Sequence, residues 1–188
     1  MGKGNWLSIF PILFFLLLAA LIASGAHGQA KGASAMTFTL LSADFPNGAE
    51  IPKPFTCSGE DRSPALAWKD APPGTKSFAL IADDPDAPGG TWVHWVIFNI
   101  PGTANGLQGG VEKKEQLSDG TRQGRNDFPK IGYNGPCPPP GKPHRYFFKL
   151  YALDGALNLA SGASKADLEQ AIKGHVLGQT EWMGTFRR

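Results

Sequence analysis

Glycine and proline interrupt this chain so often that it is unsuited to long helices. Its 188 residues contain 24 glycines and 16 prolines, and beyond the N-terminal apolar run few stretches repeat apolar residues at helical spacing. Proline removes a backbone donor, and glycine weakens the interior of any regular element. Short strands between turns are the elements that fit such a chain, so the sequence predicts a mostly β domain.

The predicted strands are short apolar or alternating segments bounded by turn residues. Two of them, 77–82 and 92–100, are almost continuously apolar, which is typical of strands covered on both faces. Residues 102–142 are predicted to be mostly loop, and loops of that length inside a compact domain are often functional. The full set of predicted strands is 37–42, 66–68, 77–82, 92–100, 145–153 and 175–186.

Only one segment predicts a helix, near residues 164–174. Ser164 is a candidate N-cap, and Asp167 occupies the acidic position of a capping box three residues later. Apolar residues then follow at helical spacing, and Gly174 can end the helix.

The first thirty residues have the layout of a secretory signal peptide. Lys3 precedes an uncharged apolar run over residues 6–23, and small residues follow it. We predict cleavage after Ala30, with Ala26 as the second choice, which leaves a single domain over residues 31–188 in the periplasm or outside the cell. The run is long enough that a retained N-terminal anchor is the alternative. No later segment is long enough to cross a membrane.

Charge and cysteine content limit the partners and the compartment. The formal net charge is +2 without any basic block, so we expect no nucleic-acid partner. Cys57 and Cys137 form an even pair that suggests a disulfide in an exported chain, whereas two buried thiols are the alternative. We expect no metal and no cofactor, and we leave open a monomer or a homodimer.

Two segments carry the chemistry. Each is a proline-stiffened loop that ends at a histidine entering a strand: Asp84-Pro-Asp-Ala-Pro before His94, and Gly135 to Pro143 before His144. Two imidazoles and the Tyr146 hydroxyl can hydrogen-bond the oxygens of an anion. Gly135 would let backbone N–H groups approach a ligand closely, and Asp84 would orient a histidine.

Four further residues are candidates for supporting positions around this site: Asp86, Pro88, Trp95 and Arg145. Arg145 is expected to hold a loop by hydrogen bonds or a salt bridge. Trp92, Trp95 and Trp182 are expected to pack in the core rather than to contact a ligand.

In order and spacing, these segments resemble the two signature regions of the phosphatidylethanolamine-binding proteins. The segment 57–68 is similar to the opening segment of the bacterial and archaeal branch, called Raf kinase inhibitor-like. The resemblance covers residues 36–187. It implies an antiparallel, Greek-key β-sandwich with one or two short helices. It also implies a small cavity for phosphate-like or carboxylate anions, lined by Asp84, His94, Gly135, His144 and Tyr146.

The sequence departs from the animal members of that family at the predicted mouth of the cavity. A pocket glycine of those proteins corresponds to a position near Tyr133, so a bulky side chain is expected to narrow the mouth. Their C-terminal helix, which carries a tyrosine at the pocket, has no counterpart after Trp182. The loop before His144 is one residue longer, with an added proline.

These observations favour an exported binding protein that recognises an anionic group, either free, on a lipid head group or on a partner protein, and that could regulate or inhibit that partner. The alternative is a hydrolase that uses Asp84 with His94 or His144 as base and orienting group. The sequence contains no Gly-x-Ser-x-Gly nucleophile motif, so binding without catalysis is our main hypothesis.

Overall fold

The structure is a computed structural model that describes residues 37–188. The predicted signal peptide and the first residues of the predicted domain lie outside the described residues. The described chain forms eight strands, one α-helix and one 3-10 turn. They are β1 (Thr39–Leu41), the 3-10 turn (Lys53–Phe55), β2 (Leu66–Lys69), β3 (Ser77–Asp84), β4 (Trp92–Pro101), β5 (Gly106–Leu107), β6 (Arg122–Gln123), β7 (His144–Leu153), α1 (Lys165–Ala171) and β8 (Val176–Phe186).

The strands form two antiparallel sheets. A three-stranded sheet has the order β1-β2-β5, and a five-stranded sheet has the order β6-β4-β3-β7-β8. β3 and β4 are joined by a short loop, whereas β7 returns after a long connection to pair with β3 on its other side. Such a return beside an earlier strand is the feature that defines Greek-key connections. The predicted antiparallel β architecture is therefore confirmed.

Both faces of the larger sheet are covered, as the apolar character of its central strands predicts. Every residue of β3 is buried. On one face, Leu40 of β1 and Trp68 of β2 join the cluster that contains Phe78 and Phe148. On the other face, Leu168 of α1 packs with residues of β3 and β4 in a second cluster. Central strands with two covered faces lose the polar alternation of a half-exposed sheet.

The helix begins where its cap residues predict. The Ser164 hydroxyl accepts the Asp167 backbone N–H, and the Asp167 carboxylate accepts the Ser164 backbone N–H. This reciprocal pair satisfies two donors at the helix start. The helix closes at Ile172, and Gly174 follows with a positive φ of 83°.

The described residues contain neither a candidate membrane-spanning helix nor a candidate metal-binding cluster. Between residues 37 and 188, no helix has the length and apolar character that a membrane crossing requires. In the same range, no group of three or more acidic, histidine or cysteine side chains is arranged to hold a metal ion.

Candidate functional site

Three strand ends bring the predicted site residues together at one end of the larger sheet. β3 lies between β4 and β7, and both pairings are antiparallel. The last residue of β3, Asp84, is therefore beside the first residues of β4 and of β7, which include His94 and His144. Residues 50 to 60 positions apart along the chain meet because antiparallel neighbours start where the central strand ends.

A cavity of about 210 Å³ opens at this end of the sheet. Asp84, His94 and His144 form its polar side. The rest of the wall is apolar and comes from the loop after β3, the start of β4 and two later loops, through Ala87, Pro88, Trp92, Phe128, Cys137, Pro138 and Pro139. A mostly apolar hollow with a few converging polar groups is the usual form of a small-molecule site.

His94 enters the cavity from a β-bulge. Asp83 pairs with Val93 and Ala82 pairs with Trp95, so His94 is the extra residue between two consecutive pairs. Such a bulge turns a side chain away from the regular alternation of the strand.

Burial and one hydrogen bond set the proton state of His94. Its Nδ1 donates to the Asn134 carbonyl over 2.7 Å, and burial lowers the pKa of the imidazole. The ring is therefore neutral at pH 7 with its proton on Nδ1, which leaves Nε2 as a hydrogen-bond acceptor for a ligand.

His144 and Asp84 form a buried pair. The His144 Nδ1 donates to the Asp84 Oδ2 over 2.8 Å, and only 5% of each side chain is exposed. The other carboxylate oxygen, Oδ1, accepts the Asp86 backbone N–H over 2.8 Å. Asp84 therefore fixes the imidazole of His144 and leaves its Nε2 available to a ligand.

Tyr146 lies against His94 and does not line the cavity. Its ring contacts the His94 ring edge-on at 5.2 Å between centroids. The hydroxyl is buried and makes no hydrogen bond to any described residue. Burial raises the pKa of Tyr146, and the negative charge of Asp84 raises it further. A buried hydroxyl without a partner is uncommon, because leaving it unpaired costs about 1–3 kcal/mol.

Arg145 holds the loop after β3 against β7. Its Nε and Nη2 donate to the two carboxylate oxygens of Asp86 over 2.9 and 2.8 Å, and its backbone N–H donates over 3.0 Å. The bonds from Arg145 hold the pKa of the Asp86 carboxyl well below its usual range. Arg145 thus acts on the site through the loop, which carries Ala87 and Pro88 into the cavity wall.

Sequence comparison decides the family. The sequence pattern of the phosphatidylethanolamine-binding protein family matches residues 41–187. This chain belongs to that family.

Relatives and solved structures agree with the assignment. The chain is 53% identical over 144 residues to a UPF0098 protein of Methanothermobacter thermautotrophicus, covering 77% of this chain and 95% of that protein. It is 47% identical over 174 residues to a UPF0098 protein of Aquifex aeolicus, covering 92% and 99%.

Two crystal structures share the fold. The phosphatidylethanolamine-binding protein homologue of Chlamydia trachomatis has a TM-score of 0.74 at 38% identity, covering 81% of this chain and 98% of that one. The Escherichia coli protein YbcL, described as a new member of the mammalian family, has a TM-score of 0.75 at 35% identity, covering 80% and 98%.

The structure gives Gly135 a different role from the predicted one. Its backbone N–H donates to the Asp61 Oδ1 over 2.6 Å and is not free for a ligand. A Cβ at this position would lie 2.2 Å from the Phe55 carbonyl oxygen. The glycine is needed because two backbone segments approach closely there, and the prediction that it brings N–H groups to a ligand was wrong.

The tryptophan predictions were partly wrong. Trp92 does not pack in the core: it is 39% exposed and lines the cavity, where Phe128 contacts it edge-on at 5.5 Å. Trp95 packs in the core, as expected, and does not line the cavity as a supporting residue. Its Nε1 donates to the Gln123 Oε1 over 2.8 Å, and its ring packs against Tyr133.

Tyr133 does not narrow the mouth of the cavity. The side chain is 1% exposed, and its hydroxyl donates to the Phe55 carbonyl over 2.7 Å. The ring therefore fills the core, so the expectation taken from the animal members was wrong.

Several residues of this site were missed from the sequence. Asp61 accepts both the Gly135 N–H and the Asn134 side-chain amide, over 2.6 and 2.7 Å, and so holds the segment whose carbonyl orients His94. Asp61 also has a positive φ of 55°, which no local pattern marks. Phe128 contacts the His94 ring at 5.4 Å and could have been suspected because it is an aromatic residue in a polar loop.

Proposed function

We propose that this chain is an exported binding protein that takes up a phosphoryl group, free or carried by a small molecule, in the cavity at the end of β3. The observation that carries the proposal is the meeting of two imidazoles in one cavity wall, each held by a hydrogen bond at its Nδ1 and each with its Nε2 left for a ligand. They are His94 and His144.

These groups suit a tetrahedral anion that still carries one proton. Neutral His94 offers an acceptor, which a protonated ligand oxygen can fill. The Nε2 of His144 is open to the same ligand, because Asp84 holds the ring through Nδ1. A fully deprotonated anion would offer no donor to His94 and would face the Asp84 carboxylate, which disfavours it.

The apolar part of the cavity suits the group that carries the phosphoryl. Trp92, Phe128 and Pro138 surround the polar floor and could cover carbon atoms next to the phosphate. A carboxylate ligand carries no proton near neutral pH and offers no donor to His94, so we rank it below a phosphoryl group.

Calorimetric titration tests the proposal directly. Purified residues 31–188 should bind inorganic phosphate and phosphoethanolamine, and His144→Ala should weaken binding at least tenfold. His175→Ala is the matched control, because His175 is half exposed and pairs with Asp154 away from the cavity. If neither compound produces binding heat at millimolar concentration, the proposal is rejected.

Hydrolysis is the second candidate, and the Asp84–His144 hydrogen bond is the observation that favours it. A carboxylate that orients an imidazole is the usual support of a general base. The described cavity wall contains no hydroxyl or free thiol nucleophile, so His144 would have to activate water. Turnover of a phosphomonoester that His144→Ala abolishes would establish catalysis, whereas binding without turnover would support a binding role.

Export rests on the sequence of residues 1–30. Expression of the full chain in a bacterial host, followed by mass spectrometry, should give a mature protein beginning at Lys31 outside the cytoplasm. Intact chains that remain in the membrane fraction would instead indicate a retained anchor. Any regulatory or inhibitory role would act on a partner in that same compartment, and affinity capture from it would identify the partner.

A further inference from the structure

A disulfide forms part of the cavity wall. Cys57 and Cys137 are bonded, and their Cα atoms are 5.4 Å apart. Cys137 lines the cavity, and so do Pro138 and Pro139, which follow it. The bond therefore ties this side of the wall to the segment after the 3-10 turn, 80 residues earlier in the chain.

Little else ties down the segment 137–143, which we call the wall segment. Four of its seven residues are proline and lack an N–H. Among the described residues, no backbone hydrogen bond joins the wall segment to the rest of the domain. A backbone hydrogen bond is present just before the wall segment, where the Cys57 N–H donates to the Pro136 carbonyl over 3.1 Å. The disulfide is thus the main tie between the wall segment and the domain.

The two sulfurs differ in their surroundings. Cys57 is exposed, whereas Cys137 is half buried. The Arg188 Nη1 lies 3.8 Å from the Cys137 Sγ. A nearby guanidinium stabilises a thiolate, and a stabilised thiolate is the better leaving group in thiol–disulfide exchange. The arrangement favours attack on Cys57 and departure of Cys137.

We propose that the Cys57–Cys137 disulfide is a redox latch for the cavity. In the oxidised protein the wall segment is held beside His144 and the ligand site is complete. Reduction by a dithiol frees the wall segment and lowers ligand affinity, while both sheets stay folded. The effect on affinity rests on the proposed function, whereas the release of the wall segment does not.

The reduction is a two-electron exchange. One thiolate of the dithiol attacks the Cys57 sulfur, the Cys57–Cys137 bond breaks, and Cys137 leaves as a thiolate. The second thiol of the reductant then attacks the mixed disulfide as a thiolate. Cys57 is released as a thiolate, and the dithiol is oxidised to its own disulfide. Each cysteine thiolate can then take up a proton from water.

Hydrogen exchange and calorimetry, with and without dithiothreitol, test the latch on residues 31–188. After reduction, the hydrogen-bonded amides of Cys57 and Gly135 should exchange at least tenfold faster, while amides of β3 and β7 keep their protection. The dissociation constant for inorganic phosphate should rise at least tenfold. Cys57→Ser with Cys137→Ser should reproduce both effects without any reductant.

Each result counts for or against the latch. Unchanged exchange near the wall segment, or loss of protection throughout β3 and β7, would overturn it. If the oxidised protein binds no phosphate, the proposed function fails, and the exchange data alone still decide whether the wall segment is released. Unchanged phosphate affinity together with faster local exchange would show that the wall segment is not needed for the site, which also contradicts the latch.

Arg188 provides a control on the chemistry. Arg188→Gln should slow reduction by dithiothreitol about threefold or more, because the departing Cys137 thiolate loses its neighbouring charge. Arg187→Gln is the matched change, because it removes an adjacent positive charge while the hydrogen bond to the Cys137 sulfur comes from Arg188. Equal reduction rates for both variants and the unaltered protein would refute the assigned leaving group.

Discussion

His94 shows how surroundings change what a side chain can offer. From the sequence it was expected to donate to an anion, as a free imidazole can. In the structure the Nδ1–H of His94 already donates to the Asn134 carbonyl, and burial lowers the pKa of the imidazole. The same residue type therefore becomes an acceptor at neutral pH, which changes the proposed ligand from any anion to one that carries a proton.

The protonation state of the ligand gives the first prediction. A phosphomonoester has a second pKa of about 6, so the singly charged form becomes scarce above that pH. The affinity for phosphoethanolamine should fall steadily between pH 6 and pH 8, by up to about tenfold per unit. Calorimetric titration across this range checks the direction, and an affinity that rises with pH would show that the dianion is the preferred ligand.

The lowered pKa of His94 also predicts a pH-dependent stability. In the unfolded chain the imidazole takes up a proton below about pH 6.5, whereas in the folded state it stays neutral to a lower pH. The unfolded state then binds more protons, so the free energy of unfolding decreases as the pH falls below about 6.5. The decrease from this residue is at most about 1.4 kcal/mol per pH unit.

Urea denaturation at pH 7 and pH 5 measures this effect. His94→Asn removes the titrating ring, so its stability should change less between the two pH values than that of the unaltered protein. His175→Asn, at an exposed position, should leave the difference nearly as it is. If the free energy of unfolding changes as much between pH 7 and pH 5 in His94→Asn as in the unaltered protein, His94 is not a neutral, buried imidazole.

Elements with a strong local pattern were predicted well. β3 and β4 follow from uninterrupted apolar runs, and α1 follows from its capping box. β5 and β6 were missed because each has two residues, too few for any periodicity to appear. The bulge at His94 was also missed, because it arises from pairing with β3 and not from the sequence of β4 alone.

A buried charge joins three elements on the face opposite the smaller sheet. The fully buried Asp83 at the end of β3 accepts from Lys149 of β7 and from Lys165 of α1, each over 2.8 Å. Asp83→Asn would leave the Lys149 ammonium without its counter-charge and would leave Lys165 with only the more distant Glu169 carboxylate, at 3.6 Å. Because removing one partner of a buried pair costs about 3–5 kcal/mol and these lysines partly reach solvent, we expect a loss of about 3 kcal/mol.

Urea denaturation of Asp83→Asn checks this expectation. Asp154→Asn is the control, since Asp154 forms an exposed pair with His175 and such pairs contribute about 0–1 kcal/mol. Equal stabilities of the two variants would show that Asp83 does not hold α1 to the sheet.

At the scale of the whole molecule, the sequence indicated the family and the meeting of Asp84, His94 and His144, because the two motifs are specific in combination. It did not indicate the residues that act through distant contacts. Gly135 and Asp61 depend on segments some 70 residues away, and Trp92 lines the cavity beside Phe128, which contacts it edge-on. Such roles depend on tertiary contacts that no local pattern encodes.

The disulfide spans more of the chain than any strand pairing at the site. A closed loop of 80 residues restricts the unfolded state by about 4 kcal/mol in the chain-entropy view. Cys57→Ser with Cys137→Ser should therefore lower the free energy of unfolding by about that amount, measured in urea at low temperature. A loss below about 1 kcal/mol would mean that native-state strain offsets the restriction.

A crystal structure of residues 31–188 grown with phosphoethanolamine tests the central claim most directly. The account predicts a phosphoryl group in the cavity, with its oxygens within hydrogen-bond distance of the Nε2 atoms of His94 and His144. A cavity without ligand at saturating phosphoethanolamine, or a phosphoryl group bound elsewhere on the domain, would contradict it.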